Sequence, residues 1–190
     1  MKSKRLRFKR RRLALTDYKK RLALVKSGLD RLVVRKSNKY IIGQVVRYAA
    51  KGDLVVVSVS SKELNLFNWP SRPNKPTAYL TGLLLAKKYK ADEELVLDTG
   101  LYTPVKESIP FVFAKGCIDG GMRVKAGLDI KESTYDGSSI SSYAKKLKGD
   151  EKLYKRQFGE YLKNSINVEE LPKLFAEIKE KIKNYKGVVK

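Results

Sequence analysis

The chain has 190 residues, 42 Lys/Arg against 20 Asp/Glu, a formal net charge of +22, one cysteine and no histidine. That length fits one domain, or one domain with substantial extensions. The missing histidines exclude Ser-His-Asp and Cys-His catalysis and the usual zinc sites, and Cys117 alone excludes an internal disulfide framework.

The charge is unevenly placed. Residues 1–52 hold 18 Lys/Arg against Asp17 and Asp30 alone, a net +16 of the total +22. Within the first 12 residues Lys2, Lys4, Arg5, Arg7, Lys9, Arg10, Arg11 and Arg12 meet no carboxylate, with Phe8 among them. Such a segment cannot bury itself, since an unpaired charge taken out of water costs several kcal/mol or more. Residues 1–15 therefore read as an extended basic arm awaiting a polyanion, and nucleic acid is the first partner to consider. A solvated tail or a targeting signal would have the same composition, but here the charge continues into the elements that follow.

Thr16 reads as a helix N-cap, Asp17 suits the positive end of that helix, and Gly28 is placed to end it. Tyr18, Leu22 and Val25 fall at i, i+4 and i+7 and predict a shared inward face. Tyr18 is open to two roles, core packing or stacking on a base. Lys19, Lys20 and Lys26 point elsewhere. Three strands follow, Arg31–Lys36, Tyr40–Tyr48 and Leu54–Ser60, separated by turn signals at Ser37-Asn38 and Lys51-Gly52, an antiparallel meander. One face should meet helices and the other keep polar positions for a ligand. The tip, Arg35, Lys36, Ser37, Asn38, Lys39 and Tyr40, suits either plain turn chemistry or presentation of donors to phosphate, 2′-hydroxyl and base edges.

Pro76 opens a helix predicted to reach about Lys90, Glu94–Asp98 reads as a short buried strand, and Ser108-Ile109-Pro110 opens a second helix to about Gly121. Together these predict an α/β fold: a mixed sheet, made of the three-strand meander plus a further strand, covered by helices. Beyond residue 128 strands cease. Ser139–Lys148, Asp150–Lys163 and Glu169–Tyr185 have helical patterning, with Leu171, Leu174, Phe175, Ile178 and Ile182 as a stripe. The expected organisation is a basic arm (1–15), an α/β RNA-binding domain (16–127) and a helical C-terminal extension (128–190), the last docked on neighbouring proteins or RNA. No apolar run approaches the roughly 20 residues that span a bilayer, and no signal-peptide apolar stretch follows the basic N-terminus. An intracellular, reducing setting is expected.

Two motifs invite other chemistry. Asp98-Thr99-Gly100 is an aspartic-protease tripeptide, but that mechanism needs two carboxylates, no second copy exists, and Leu101 follows where a small residue is usual. Asp98 reads as a structural residue at a strand end. Gly116-Cys117-Ile118-Asp119-Gly120-Gly121 lacks the Lys-Ser/Thr ending of a phosphate loop. Its glycines read as allowing close helix packing, and Cys117 as core.

Thr16-Asp17-Tyr18-Lys19-Lys20-Arg21-Leu22, Leu24-Val25-Lys26-Ser27-Gly28 and Arg31 through Ile41 together resemble the archaeal form of large-subunit ribosomal protein L eighteen, whose larger eukaryotic relative is L five. Pro76-Thr77-Ala78-Tyr79-Leu80-Thr81-Gly82-Leu83-Leu84, Leu97 through Leu101, Phe113 through Gly121, Tyr154-Lys155-Arg156-Gln157-Phe158 and Leu171-Pro172-Lys173-Leu174-Phe175 extend the likeness over nearly the full length. The chain departs from the family pattern at Tyr40, often histidine there, and over Val124–Ile130, where Pro-His-Ser is common. The resemblance implies a structural, non-enzymatic protein of the cytoplasmic ribosome. Such a protein binds 5S rRNA, anchors it in the central protuberance, and touches large-subunit rRNA and neighbouring ribosomal proteins. No cofactor, membrane or small-molecule substrate is implied. By position, the arm's Lys/Arg residues, Lys19, Arg21, Lys26, Arg31 and the hairpin from Arg35 to Tyr40 would contact RNA. A non-specific nucleic-acid-binding protein, of chromatin or RNA-chaperone type, is the alternative.

Overall fold

The computed structural model describes residues 6–185. Five strands, β1 (Asp30–Lys36), β2 (Ile41–Arg47), β3 (Leu54–Ser60), β4 (Glu94–Asp98) and β5 (Arg123–Lys125), form one mixed sheet in the order β3-β2-β1-β4-β5. The first three are the predicted antiparallel meander, and β1, β4 and β5 run parallel. Strand β5 was not anticipated. It has three residues, too few for an alternating pattern, and exists because β4 offers it a pairing edge.

Period-2 alternation sorts the sheet's faces. Leu32, Val34, Ile41, Val45, Val59 and Leu95 are buried on one face. Arg31, Val33 and Arg35 of β1 lie beside Val46, Gln44 and Ile42 of β2 on the other. The buried face is covered by α3 (Lys75–Lys88) and α4 (Ile109–Asp119). Asn74 caps α3 through Thr77 N, and Pro76 occupies its first turn, where no amide donor is needed. Pro76 through Ala86 are all buried, because α3 is covered on every side. It approaches α4 so closely that a Cβ on Gly82 would lie 2.1 Å from the Phe113 carbonyl oxygen, and one on Gly116 2.2 Å from that of Tyr79. Cys117 is fully buried at this contact.

Beyond β5 come three further helices, α5 (Ser138–Leu147), α6 (Glu151–Lys163) and α7 (Leu171–Lys183). Leu171, Phe175, Ile178 and Ile182 of the predicted stripe are buried, but against the chain's own α3 rather than a neighbouring molecule. Phe175 meets Tyr79 and Trp69 at centroid distances of 5.5 and 6.3 Å, and Tyr135 stacks on Tyr79 at 4.3 Å. Burying each such side chain contributes about 2 kcal/mol. These contacts join the C-terminal helices to one continuous core with α3.

Candidate nucleic-acid interface

The described part of the arm is not extended throughout. Lys9–Arg12 form one helical turn, α1, with the Arg11 and Arg12 amides donating to the Phe8 carbonyl. Arg10 Nε donates to Thr16 Oγ1 at 3.1 Å and folds the turn back toward the next helix. Arg7, Lys9, Arg10, Arg11 and Arg12 are all exposed, as is Phe8 at 78%. Lys2, Lys4 and Arg5 lie outside the described residues.

Helix α2 (Tyr18–Lys26) is capped one residue later than expected. Asp17 Oδ1 accepts from the amides of Lys19 and Lys20, while Thr16 is occupied by Arg10. Gly28, at φ +71°, ends the helix in the left-handed region. The inward face also differs: Leu22 is 55% exposed and no residue of α2 is fully buried. The helix is tied down by charge instead. Lys20 Nζ donates to Thr99 Oγ1 at 2.8 Å and to the Gly100 carbonyl at 3.0 Å, and Arg21 pairs with Asp53 at 2.9 Å. A cavity of about 530 Å³ separates α2 from the sheet's outer face. With Lys20 and Arg21 turned inward, Lys19 and Lys26 remain exposed, and Tyr18 is half-buried.

Beneath α2 a row of alternating charges crosses the sheet. Arg21 and Arg31 share Asp53, and Arg31 and Arg35 share Asp98, at 2.9, 2.6, 3.3 and 3.0 Å in turn. Asp98 also accepts from the Gly100 amide at 2.8 Å, and its carbonyl accepts from Arg35 at 2.7 Å. This places Asp98 as the expected structural residue at the end of β4. It also turns Arg31 inward, away from the exposed candidates. Its side chain is 5% exposed and its guanidinium is paired with two carboxylates. Arg35 is 44% exposed and Arg21 39%, so both retain an outward side.

At the hairpin tip, turn chemistry accounts for Ser37. Its Oγ donates to the Tyr40 carbonyl and accepts from the Lys39 and Tyr40 amides. That closed turn leaves Lys36, Asn38 and Lys39 exposed around it. Lys62 Nζ lies 4.3 Å from the centroid of the Tyr40 ring, a cation–π contact that adds a cation beside the tip. Sequence inspection passes over Lys62, because nothing local marks a lysine beyond β3 as neighbour to Tyr40. Arg47 is half-exposed but committed to Asp30 and Glu93, which hold its pKa above the ordinary arginine value. Among the predicted contact residues, the exposed cations thus come from α1, the outer side of α2 and the hairpin tip.

The family described as ribosomal large subunit proteins 60S L5 and 50S L18 matches residues 2–95, which include all three sources. The large ribosomal subunit protein uL18 of Methanococcus maripaludis is 44% identical over 185 residues, covering 95% of this chain and 96% of that protein. The protein of the same name from Sulfurisphaera tokodaii is 44% identical over 186 residues, covering 95% of each. The chain belongs to the uL18 family. Both relatives are, by name, proteins of the large ribosomal subunit. The likeness to these uL18 proteins runs past residue 95, so the helices α4 to α7 belong to the shared fold as well.

Proposed function

We propose that this chain is a constituent of the large ribosomal subunit that binds 5S rRNA and anchors it in the central protuberance. Large-subunit rRNA and adjacent ribosomal proteins would be its other partners. The observation that carries the proposal is the exposed basic surface running from α1 over the outer side of α2 to the hairpin tip, in a member of the uL18 family. Arg7, Lys9, Arg10, Arg11, Arg12, Lys19, Lys26, Arg35, Lys36 and Lys39 supply cations to phosphates. Phe8, Tyr18 and Tyr40 supply rings, and Asn38 a donor for a 2′-hydroxyl or base edge. Lys2, Lys4 and Arg5 extend the same charge.

Affinity built from phosphate contacts falls with salt, the slope growing with the number of contacts. Deleting residues 1–15 should therefore weaken binding to purified 5S rRNA and flatten its salt dependence. Unchanged affinity with an unchanged slope would refute the arm's role. Competition separates a dedicated 5S rRNA partner from general nucleic-acid binding: unrelated RNA or duplex DNA should displace 5S rRNA only weakly.

A further inference from the structure

A second cleft, of about 690 Å³, opens beside the hairpin at the carboxyl ends of the parallel strands β1 and β4. That end of an open α/β sheet is where chain reversals leave a crevice for ligands. Its walls are apolar, with Pro76, Val105, Ile109 and Ile140 prominent, and no Asp or Glu lines it. Lys36 and Lys75 supply its charge. The first turns of α3, α4 and α5 all face it, and none contains an acidic residue. The cleft is joined to the hairpin directly, since Tyr102 in its wall donates through its hydroxyl to the Lys36 carbonyl at 3.0 Å. Tyr102 is 43% exposed and Val105 58%, so both present apolar surface at the cleft.

We propose that this cleft receives one unstacked nucleotide of the bound RNA. The base would lie against the apolar wall and Tyr102, with its phosphate at Lys36 and Lys75. The inference rests on the RNA-binding role proposed above and adds to it a specific pocket outside the arm. Charge complementarity favours RNA: the mouth is cationic, the lining carries no anion, and the cleft continues a basic tip. Splayed-out bases held on aromatic and apolar side chains are the common currency of sequence-specific RNA recognition.

Cys117 is fully buried, so Ser139→Cys at the exposed rim of the cleft creates a single accessible thiol. Binding of this variant to purified 5S rRNA is measured first, and the rate of thiol labelling is then compared between free protein and complex. The expected result is labelling slowed about tenfold or more in the complex. Filling the cleft with Ile140→Trp should weaken binding by about tenfold, the scale of one stacked base, and expose that one base to chemical modification while the remaining footprint persists. Unchanged labelling in a formed complex would overturn the pocket while leaving the RNA-binding role intact. So would protection appearing only when other ribosomal proteins are added, which would make the occupant a polypeptide. Failure of the wild type to bind 5S rRNA would instead overturn the role on which the pocket depends.

Discussion

Replacing Asp98 by alanine tests whether the charge row beneath α2 is structural. The Asp98 side chain is 8% exposed and pairs with Arg31 at 3.3 Å and Arg35 at 3.0 Å. Its loss leaves Arg31, 5% exposed, with Asp53 as sole counter-charge, and strips the Gly100 amide of its acceptor. Removing one partner of a buried ion pair costs about 3–5 kcal/mol, because the other charge stays dehydrated. The expense at Arg35 is smaller, since a half-exposed guanidinium can turn to water. For a chain of this size about 3–5 kcal/mol lowers Tm by roughly 6–20 °C. Urea titration followed by circular dichroism should show the midpoint falling with the slope unchanged. Asp98→Asn should also be costly, since the negative charge is lost and the amide NH2 group must face one of the donors, Arg31 or Arg35 with Gly100, that the two carboxylate oxygens now accept from. An Asp98→Ala midpoint within about 1 kcal/mol of wild type would refute a structural role for the row.

Arg31→Met should destabilise measurably yet leave the salt slope of 5S rRNA binding unchanged, whereas Lys36→Ala and Lys39→Ala should do the reverse. Gly116→Val places side-chain carbon where a Cβ already comes within 2.2 Å of the Tyr79 carbonyl. It should cost about 3 kcal/mol or more in the same unfolding assay, as overpacked contacts do when backbone must move. Burial raises the pKa of the Cys117 thiol and of the Tyr79, Tyr135 and Tyr161 hydroxyls, that of Tyr135 to about 12. Their neutral forms are favoured in the fold, so unfolding releases protons. The stability they protect is fully present below the ordinary thiol and phenol values and is lost as pH rises above about 9 to 10. The urea midpoint should fall between pH 8 and pH 10.5, and a rising midpoint would contradict that linkage.

What the chain reveals directly is what local periodicity can encode. The meander, the helix after Asn74 and the stripe from Leu171 to Ile182 each follow from patterns within one element. Partners far apart in the chain are not encoded that way. Arg31 counts as a free cation until Asp53 and Asp98, 22 and 67 residues away, are brought beside it. The stripe on α7 is plain, but its destination on Tyr79 and Trp69 is not, so an internal packing surface resembles an external docking surface. Thr16 and Asp17 are adjacent and both competent N-caps. The choice between them was made by Arg10, which takes the Thr16 hydroxyl.

The basic N-terminal half is thus two populations with opposite tasks. Lys20, Arg21, Arg31 and Arg47 are satisfied by their own chain, three of them by Asp53, Asp98, Asp30 and Glu93. Lys20 and Arg21 fasten α2 to the sheet and the loop after β4, in a helix that has no fully buried residue. Fixing the helix through its inner cations leaves the outer ones, Lys19 and Lys26, pointing away at a set spacing from Lys36 and Lys39 on the hairpin. A polyanion then meets cations on a framework already ordered, with less entropy lost than on a flexible chain. The arm gives charge without that framework. Deleting it should therefore remove affinity and salt dependence, whereas disturbing the inner cations should loosen α2 and degrade discrimination between 5S rRNA and other RNA.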